Sequence, residues 1–572
     1  MLAVMYVDDV PNRKSRPAIL LRESRRQGKK TLKKTLANMT DWPQDLVATI
    51  RLALKGETLV PKNGLFAIER SLPDGHVEAV LGTLRRLGLE DMIASKRCRE
   101  RDLVMAMLVQ RLIDPCSKLA TTRQWHDTTL GEELRVLDAS EDELYAALDW
   151  LLKRQERIEN KLAGKHLHEG AVVLYDLTSS TYYGRACPLA AYGKNRDGTP
   201  ELCIAYGLLA DREGRPISVD VYEGNTGDPT TVPDQVDKLR ARFGLSRVVL
   251  VGDRGMLTDT QIETLRKHRG LGWISALRSE AIRGLVDGGA LQLSLFDEQN
   301  LAEIASADFP DERLMACHNP LLAEDRKRTR QELLDETEKR LKKIVAEVRR
   351  RTKKPLKADE IGVKVGRVIN HYKVGKHFKL TIEDHRFDFE RDEQSISREA
   401  DLDGLYVVRT SEARKDFSKE DTVRTYKSLS QVEQAFRCLK GVDLRVRPIH
   451  HRTPDHVRAH VFLCMLAYYV EWHLRRALAP VLFEDEELDE VRTTRDPVAK
   501  AEPSESVKRK KATLLTPDGW PVQSFQTLMR TLGTRCRNKC RAGNNKTYAT
   551  FYELTEPTPF QAHVFHLLGL SP

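Results

Sequence analysis

Two short apolar runs, each ending in an aspartate, constrain this chain more than any other feature. They are VVLYDLTSS, which carries Asp176, and RVVLVGDRG, which carries Asp253. Continuous β-branched runs of this length read as buried strands. In α/β sheets, sites form outside the carboxyl ends of such strands, where both aspartates are expected. Two acids placed there repel one another unless a cation joins them. A turn in which Asp253 caps the following helix would explain Gly-Asp-Arg-Gly by itself. The matching position of Asp176 in the same expected sheet weighs against that as the whole account.

The texture around these runs divides the chain. Residues 1–60 mix short apolar stretches with RRQGKKTLKK and read as a small basic β-hairpin element in contact with DNA, a solvated basic tail being the simpler alternative. Residues 61–168 have helical spacing, with a capping-box pair at Ser140 and Glu143 followed by Leu144, Leu148, Leu151 and Leu152 on one face. They are expected to form an all-α N-terminal domain that binds DNA. From 169 to 279 the order is strand, strand, strand, helix, strand, helix, strand, with a hairpin turn at Asp211–Pro216. That order is that of the ribonuclease-H-like fold, whose first and fourth strands carry acidic metal ligands.

Residues 280–422 exceed what such a fold needs and read as an insertion domain. It contains a charged helix near 321–351, with Leu334, Leu341, Ile344, Val345 and Val348 on one face, and the strands HFKLTIED and LYVVRTS. Residues 423–480 return to the core with a helix carrying Glu433. Residues 481–572 are expected to hold a flexible connection (Thr493–Lys511), one helix near Ser524–Leu532 and the basic patch RCRNKCRAGNNK. The expected fold class is therefore multidomain α/β: a ribonuclease-H-like mixed sheet flanked by helices, interrupted by an α+β insertion, with a helical domain ahead of it.

Two strand-end carboxylates and Glu433 from a helix form an all-oxygen donor set, which selects Mg²⁺ or Mn²⁺ over softer metals. Tyr426 and Lys440 lie seven residues before and after Glu433, so the three share one face of a continuous helix. The net charge of +10 and pI near 9.0 favour a polyanionic partner. Nine cysteines spread along the chain do not read as a disulfide framework. No signal peptide is evident. The longest apolar run, Val461–Val470, is too short to span a bilayer and reads as a buried helix. No P-loop or Rossmann glycine pattern stands out, so ATP is not expected. Asn225 and Asp228 in EGNTGDPT fit either a turn or the neighbourhood of the site. His450 and His451 read as surface residues or phosphate contacts, and Trp273 as core.

The pattern Tyr426-x2-Leu429-x3-Glu433-x6-Lys440 resembles the Tyr-x2-Arg-x3-Glu-x6-Lys signature of bacterial insertion-sequence transposases of the DDE class, with Asp176 and Asp253 in the places of that family's aspartates. Leu429 stands where the signature has arginine; Arg424, Lys427 and Arg437 are the nearby cations. The resemblance implies DNA cleavage and strand transfer at terminal inverted repeats, with Asp176, Asp253 and Glu433 as catalytic and metal-binding residues. It further implies two Mg²⁺ (or Mn²⁺) ions and phosphate contacts from Tyr426, Lys440, Arg437 and Arg254. The implied partners are double-stranded DNA, as element end and as target, and a second copy of the chain. No membrane is implied, and the setting would be the bacterial cytoplasm at the nucleoid. A ribonuclease-H-like nuclease that only hydrolyses, or a non-catalytic DNA-binding derivative of a transposase, remains open at this point.

Overall fold

The computed structural model describes residues 4–12, 16–27, 30–57, 66–194, 199–542 and 550–571. The chain forms two compact units, Met1–Leu72 with Cys536–Glu556, and Pro73–Arg535 with Pro557–Pro572.

The first unit draws on both ends of the chain. Strands β1 (Val4–Val10), β2 (Ala18–Gln27) and β3 (Lys30–Asn38) form an antiparallel sheet, followed by a helix over Gln44–Leu54. Strand β4 (Phe66–Pro73) joins a second sheet with β16 (Cys536–Ala542) and β17 (Thr550–Leu554), in the order β17-β16-β4. The hairpin expected over 1–60 is thus three strands and a helix, and much of the C-terminal basic patch is strand β16. Two pieces of the expected basic stretches, residues 28–29 and 543–546, lie outside the described residues.

The second unit is built on a nine-stranded mixed sheet. Its strands are β5 (Ala171–Thr181), β6 (Ala191–Lys194), β7 (Pro200–Asp211), β8 (Pro216–Glu223), β9 (Val248–Val251), β10 (Leu271–Ala276), β11 (Leu301–Ile304), β12 (Arg313–His318) and β15 (Leu405–Thr410). Their order is β11-β12-β15-β10-β9-β5-β7-β6, with β8 also paired to β7. β5, β9 and β10 run parallel; β7 pairs antiparallel to β5, and β15 to β10. The four residues of β9 are all buried, as a strand covered on both faces requires. Trp273 on β10 is core, as its sequence context implied.

The helices of 75–166 do not form a separate domain. Gly75–Arg86, Arg99–Ile113 and Glu141–Leu152 pack on the long helix Pro454–Leu478 and share one hydrophobic core with the sheet. The reason is the Pro454–Leu478 helix, which is buried over most of its length and needs apolar partners all round. The expected capping box is present: Ser140 Oγ accepts from Glu143 N (3.3 Å), and Ser140 N donates to Glu143 Oε2 (3.0 Å). Among the described residues no helix is long and apolar enough to cross a membrane.

The insertion is narrower than expected. β11, β12 and β15 extend the main sheet, and the excursion proper runs from the helix Pro320–Arg350 through Ala358–Tyr372 and the hairpin β13 (Phe378–Glu383) and β14 (Arg386–Arg391). It has its own small core around Leu334, Leu341, Ile361 and Phe387. The flexible connection expected at Thr493–Lys511 is corrected as well. Its second half lies in a helix, Glu505–Thr513, and Lys510 Nζ is buried, donating to Ala479 O (2.7 Å) and Glu484 O (3.2 Å). A polar composition concealed a lysine used as an internal tie between carbonyls.

The Glu433 helix (Leu429–Lys440) is fixed at its far end by Arg475 of the long helix. Arg475 contacts Glu471 (2.6 Å), Glu484 (2.6 Å) and Asp443 (3.2 Å). Burial raises the Glu471 carboxyl to about 7 against the pull of Arg475. Cys438, Asp443 and Glu471 bring ligand-type atoms within 4.8 Å of one another, but Arg475 already supplies the cation there. Replacing Arg475 with Ala strands a fully buried carboxylate, which costs about 3–5 kcal/mol. We expect urea unfolding of Arg475→Ala, followed by tryptophan fluorescence, to show a clearly lowered midpoint.

Candidate active site on the central sheet

The register of the parallel pair β5–β9 decides where the two aspartates fall. Leu174 lies opposite Val251, and Asp176 and Asp253 each follow two residues later. Side chains alternate along a strand, so Asp176 leaves β5 on the face of Leu174, level with the point where Asp253 leaves β9. Asp176 stays in the sheet, opposite Leu208 of β7. Asp253 lies just past its strand and also shapes the turn: its Oδ1 accepts from Gly255 N (2.9 Å) and Met256 N (2.7 Å). The turn reading is therefore realised and orients the carboxylate, but the cap is not: the following helix, Asp259–Arg266, has Thr258 at its N-cap.

The helix Leu429–Lys440 packs across β5. Lys440 Nζ donates to Thr178 Oγ1, one step along β5 from Asp176 on the same face, and lies about 6 Å from the rings of Tyr206 and Phe436. Glu433, two helical turns earlier, is exposed. Burial, then the neighbouring charge of Asp253, raises Asp176 to about 7, with Asp228 and Glu433 adding to the effect. Asp228 is itself raised by burial and by Asp253. Four carboxylates thus share one field, and among the described residues none is ion-paired to Lys or Arg. Of the two readings that EGNTGDPT left open for Asp228, a turn or the neighbourhood of the site, the structure supports the second: it follows β8 and shares the field of Asp176 and Asp253.

The remaining expected contacts divide. Tyr426 does not share one straight helix with Glu433. One helix ends at Lys427 and the next begins at Leu429, with Ser428 between them. Ser428 Oγ donates to Thr425 O (2.6 Å), a local bond that competes with helix continuation. Tyr426 still reaches the site. Burial and the charge of Asp253 push its phenol up to about 12, while Arg254 pulls it the other way. Arg254 is exposed beside Asp253. Of the three cations near Leu429, Arg424 is engaged by Asp421 (3.3 Å) and Arg495 O (3.1 Å), and Lys427 by Val498 O (3.1 Å) and Ala499 O (3.2 Å). Arg437 is exposed one turn after Glu433 and has no ion pair among the described residues. Leu429 itself packs against the main core.

Two further expectations change. His451 is not a surface residue: its ring packs on His460 (4.8 Å) and Tyr145 (5.9 Å), and burial lowers it to about 3. His450 is exposed, 6.0 Å from the ring of Tyr183.

Residues 194–470 match the family model described as transposase DDE domain. The chain carries a transposase DDE domain. The match includes Asp253, Glu433, Tyr426 and Lys440, and it begins after β5, leaving Asp176 outside. No curated protein matches the chain.

The raised carboxyl of Asp176 gives the second unit a pH signature. Its folded value of about 7 lies above the unfolded value of about 3.9. Folding therefore retains a proton between these limits. The stability contributed by Asp176 is fully present below about pH 4 and is lost as pH rises through 7. Asp176→Asn keeps the shape and cannot ionise. In metal-free buffer at pH 8 it should melt higher than the parent, with the difference shrinking toward pH 5. Thermal unfolding followed by circular dichroism at the two pH values checks this.

Proposed function

We propose that this chain cuts and joins double-stranded DNA at the terminal inverted repeats of an insertion sequence, through a ribonuclease-H-like core. The order β8-β7-β5-β9-β10 within the larger sheet supports that core, with the acids on its first and fourth strands. The observation that carries the reading is the level placement of Asp176 and Asp253 across the β5–β9 pair, with the Glu433 helix laid over the same strand.

An all-oxygen, uncompensated acidic cluster fits hard divalent cations, and Asp176, Asp253 and Glu433 are the residues that would hold two Mg²⁺ or Mn²⁺ ions. When bound, such ions supply charge neutralisation at the phosphate and a more acidic attacking water or 3′-hydroxyl. The protein's own groups do the rest. Asp253, with one oxygen held by backbone N–H groups, keeps its carboxylate aimed into the site. Tyr426 remains a phenol at neutral pH, so it donates a hydrogen bond to a phosphate oxygen and does not attack. Lys440 and Arg254 flank the acids with positive charge for the scissile and adjacent phosphates. Arg437, lying on the Glu433 face of the helix, takes the place of the cation that Leu429 lacks. Hydrolysis and strand joining then differ only in which oxygen attacks, and no covalent protein–DNA intermediate is needed. A homodimer on paired ends, acting without ATP at the bacterial nucleoid, completes this reading.

Three conservative substitutions test it. Asp176→Asn, Asp253→Asn and Glu433→Gln should each abolish nicking and joining of a pre-cut element end with a target plasmid, while gel-shift affinity for that end stays within about threefold. Nicks without joined product from the parent protein would favour a nuclease, binding of the element end by a parent that neither nicks nor joins would mark it as a binding protein, and full activity in all three variants would place the chemistry on other residues. Arg437→Ala should weaken binding of the element end by about tenfold, as expected for one charge-assisted phosphate contact.

A further inference from the structure

Two opposite charges lie close together over one face of β5 without pairing. Asp176, Thr178 and Ser180 alternate along that strand, so their side chains share a face, each about 7 Å from the next. Lys440 Nζ donates to the middle one, at Thr178 Oγ1. A long, flexible lysine in that place has an evident alternative, an ion pair with the carboxylate of Asp176. Lys440 does not make it, and the acid stays open to a cation.

The surroundings of Lys440 turn its ammonium the other way along the strand. Tyr206 of β7 lies directly opposite Thr178, and Lys440 Nζ stands 5.9 Å from the centre of its ring. Phe436, one helical turn before Lys440, lies 6.0 Å from the ammonium and meets Tyr206 edge to face at 5.9 Å. The Tyr206 hydroxyl is hydrogen-bonded to Ser180 Oγ (3.0 Å), which is the next residue of that face away from Asp176. The charge is felt on this side: burial and Glu201 raise the Cys203 thiol, Lys440 pulls it down, and Cys203 lies opposite Thr181. Ring contacts near 6 Å are at the outer limit of cation–π attraction, so they guide the lysine stem more than they hold its charge. The hydrogen bond that fixes the ammonium is the one to Thr178. A hydroxyl accepts from a cation without neutralising it, which a carboxylate cannot do.

We infer that Thr178 is a positioning residue whose hydroxyl holds Lys440 away from Asp176. This rests on the proposed function, in which Asp176 takes a divalent cation and Lys440 a phosphate. It adds what keeps the two charges apart until those partners arrive. An ammonium on Asp176 would cover the oxygens that a metal ion needs, and the phosphate would lose its lysine. Thr178→Val keeps the branched shape and removes the acceptor. Lys440 then turns to the nearest acid, and the metal must compete with a cation of the protein's own.

Mn²⁺ binding to the full-length chain without DNA tests this, read from the free-ion signal in electron paramagnetic resonance. Thr178→Val should bind Mn²⁺ about tenfold more weakly, the scale usual for a residue that supports a metal ligand. Thr178→Ser, which keeps the hydroxyl, should bind as the parent does. The double variant Thr178→Val/Lys440→Met should recover the parent affinity, because no ammonium is left to compete. Misfolding cannot produce that recovery. Equal Mn²⁺ affinity in the parent and in Thr178→Val overturns the inference. So does a loss shared by Thr178→Ser, or one that Lys440→Met does not reverse. A parent that takes up no Mn²⁺ overturns it together with the metal reading. Otherwise the two readings fail apart. A parent that cuts DNA, with Thr178→Val binding Mn²⁺ normally, keeps the enzyme and removes the role of Thr178. Thr178-dependent Mn²⁺ binding by a parent that never cuts keeps that role and removes the enzyme.

Discussion

Mutual repulsion of carboxylates is the constraint on which the second unit turns. Asp176 and Asp253 are held level by the hydrogen bonds of a parallel strand pair, and those bonds cannot be given up without unravelling the middle of the sheet. Asp228 then arrives from a loop into a field already unfavourable to it, Glu433 adds its charge from a helix, and Asp176 responds by keeping its proton to about pH 7. The helix Pro454–Leu478, buried along most of its length, and the Arg475 clamp at its end hold the Glu433 helix against that repulsion.

Much of this was legible in the chain, and the reasons are specific. VVLYD and VVLVGD are apolar runs short enough to be strands and long enough to be buried, so Asp253 falls just past its strand as expected, whereas Asp176 lies mid-strand because β5 continues through polar residues to Thr181. Ser140 and Glu143 announced a helix start because both halves of a capping box are local. What failed was whatever depends on partners far along the chain. The helices of 75–166 carry a normal amphipathic pattern, and only the Pro454–Leu478 helix, some three hundred residues later, shows that they share its core. Polar composition hid the buried Lys510, and adjacent histidines hid the packing of His451 against Tyr145 and His460.

The spacing of seven between Tyr426, Glu433 and Lys440 was read as one helical stripe. The structure keeps all three near the acids but breaks the helix at Ser428, because a serine that bonds the carbonyl three residues back offers the backbone an alternative to the next helical turn. Likewise the absence of an arginine at Leu429 was visible in the sequence, whereas its remedy was not. Arg424 and Lys427 are engaged by backbone carbonyls, which is why the proposal assigns that role to the exposed Arg437.

The sheet that joins β4 to β16 and β17 brings together residues such as Glu69 and Arg541, 472 positions apart in the chain and 3.1 Å apart in space. During synthesis the first strand of this sheet leaves the ribosome long before its neighbours exist. Its open edge must wait, and a wait of that length exposes it to pairing with other chains. A nascent or prematurely terminated polypeptide would thus possess an entire acidic centre while lacking a finished first unit.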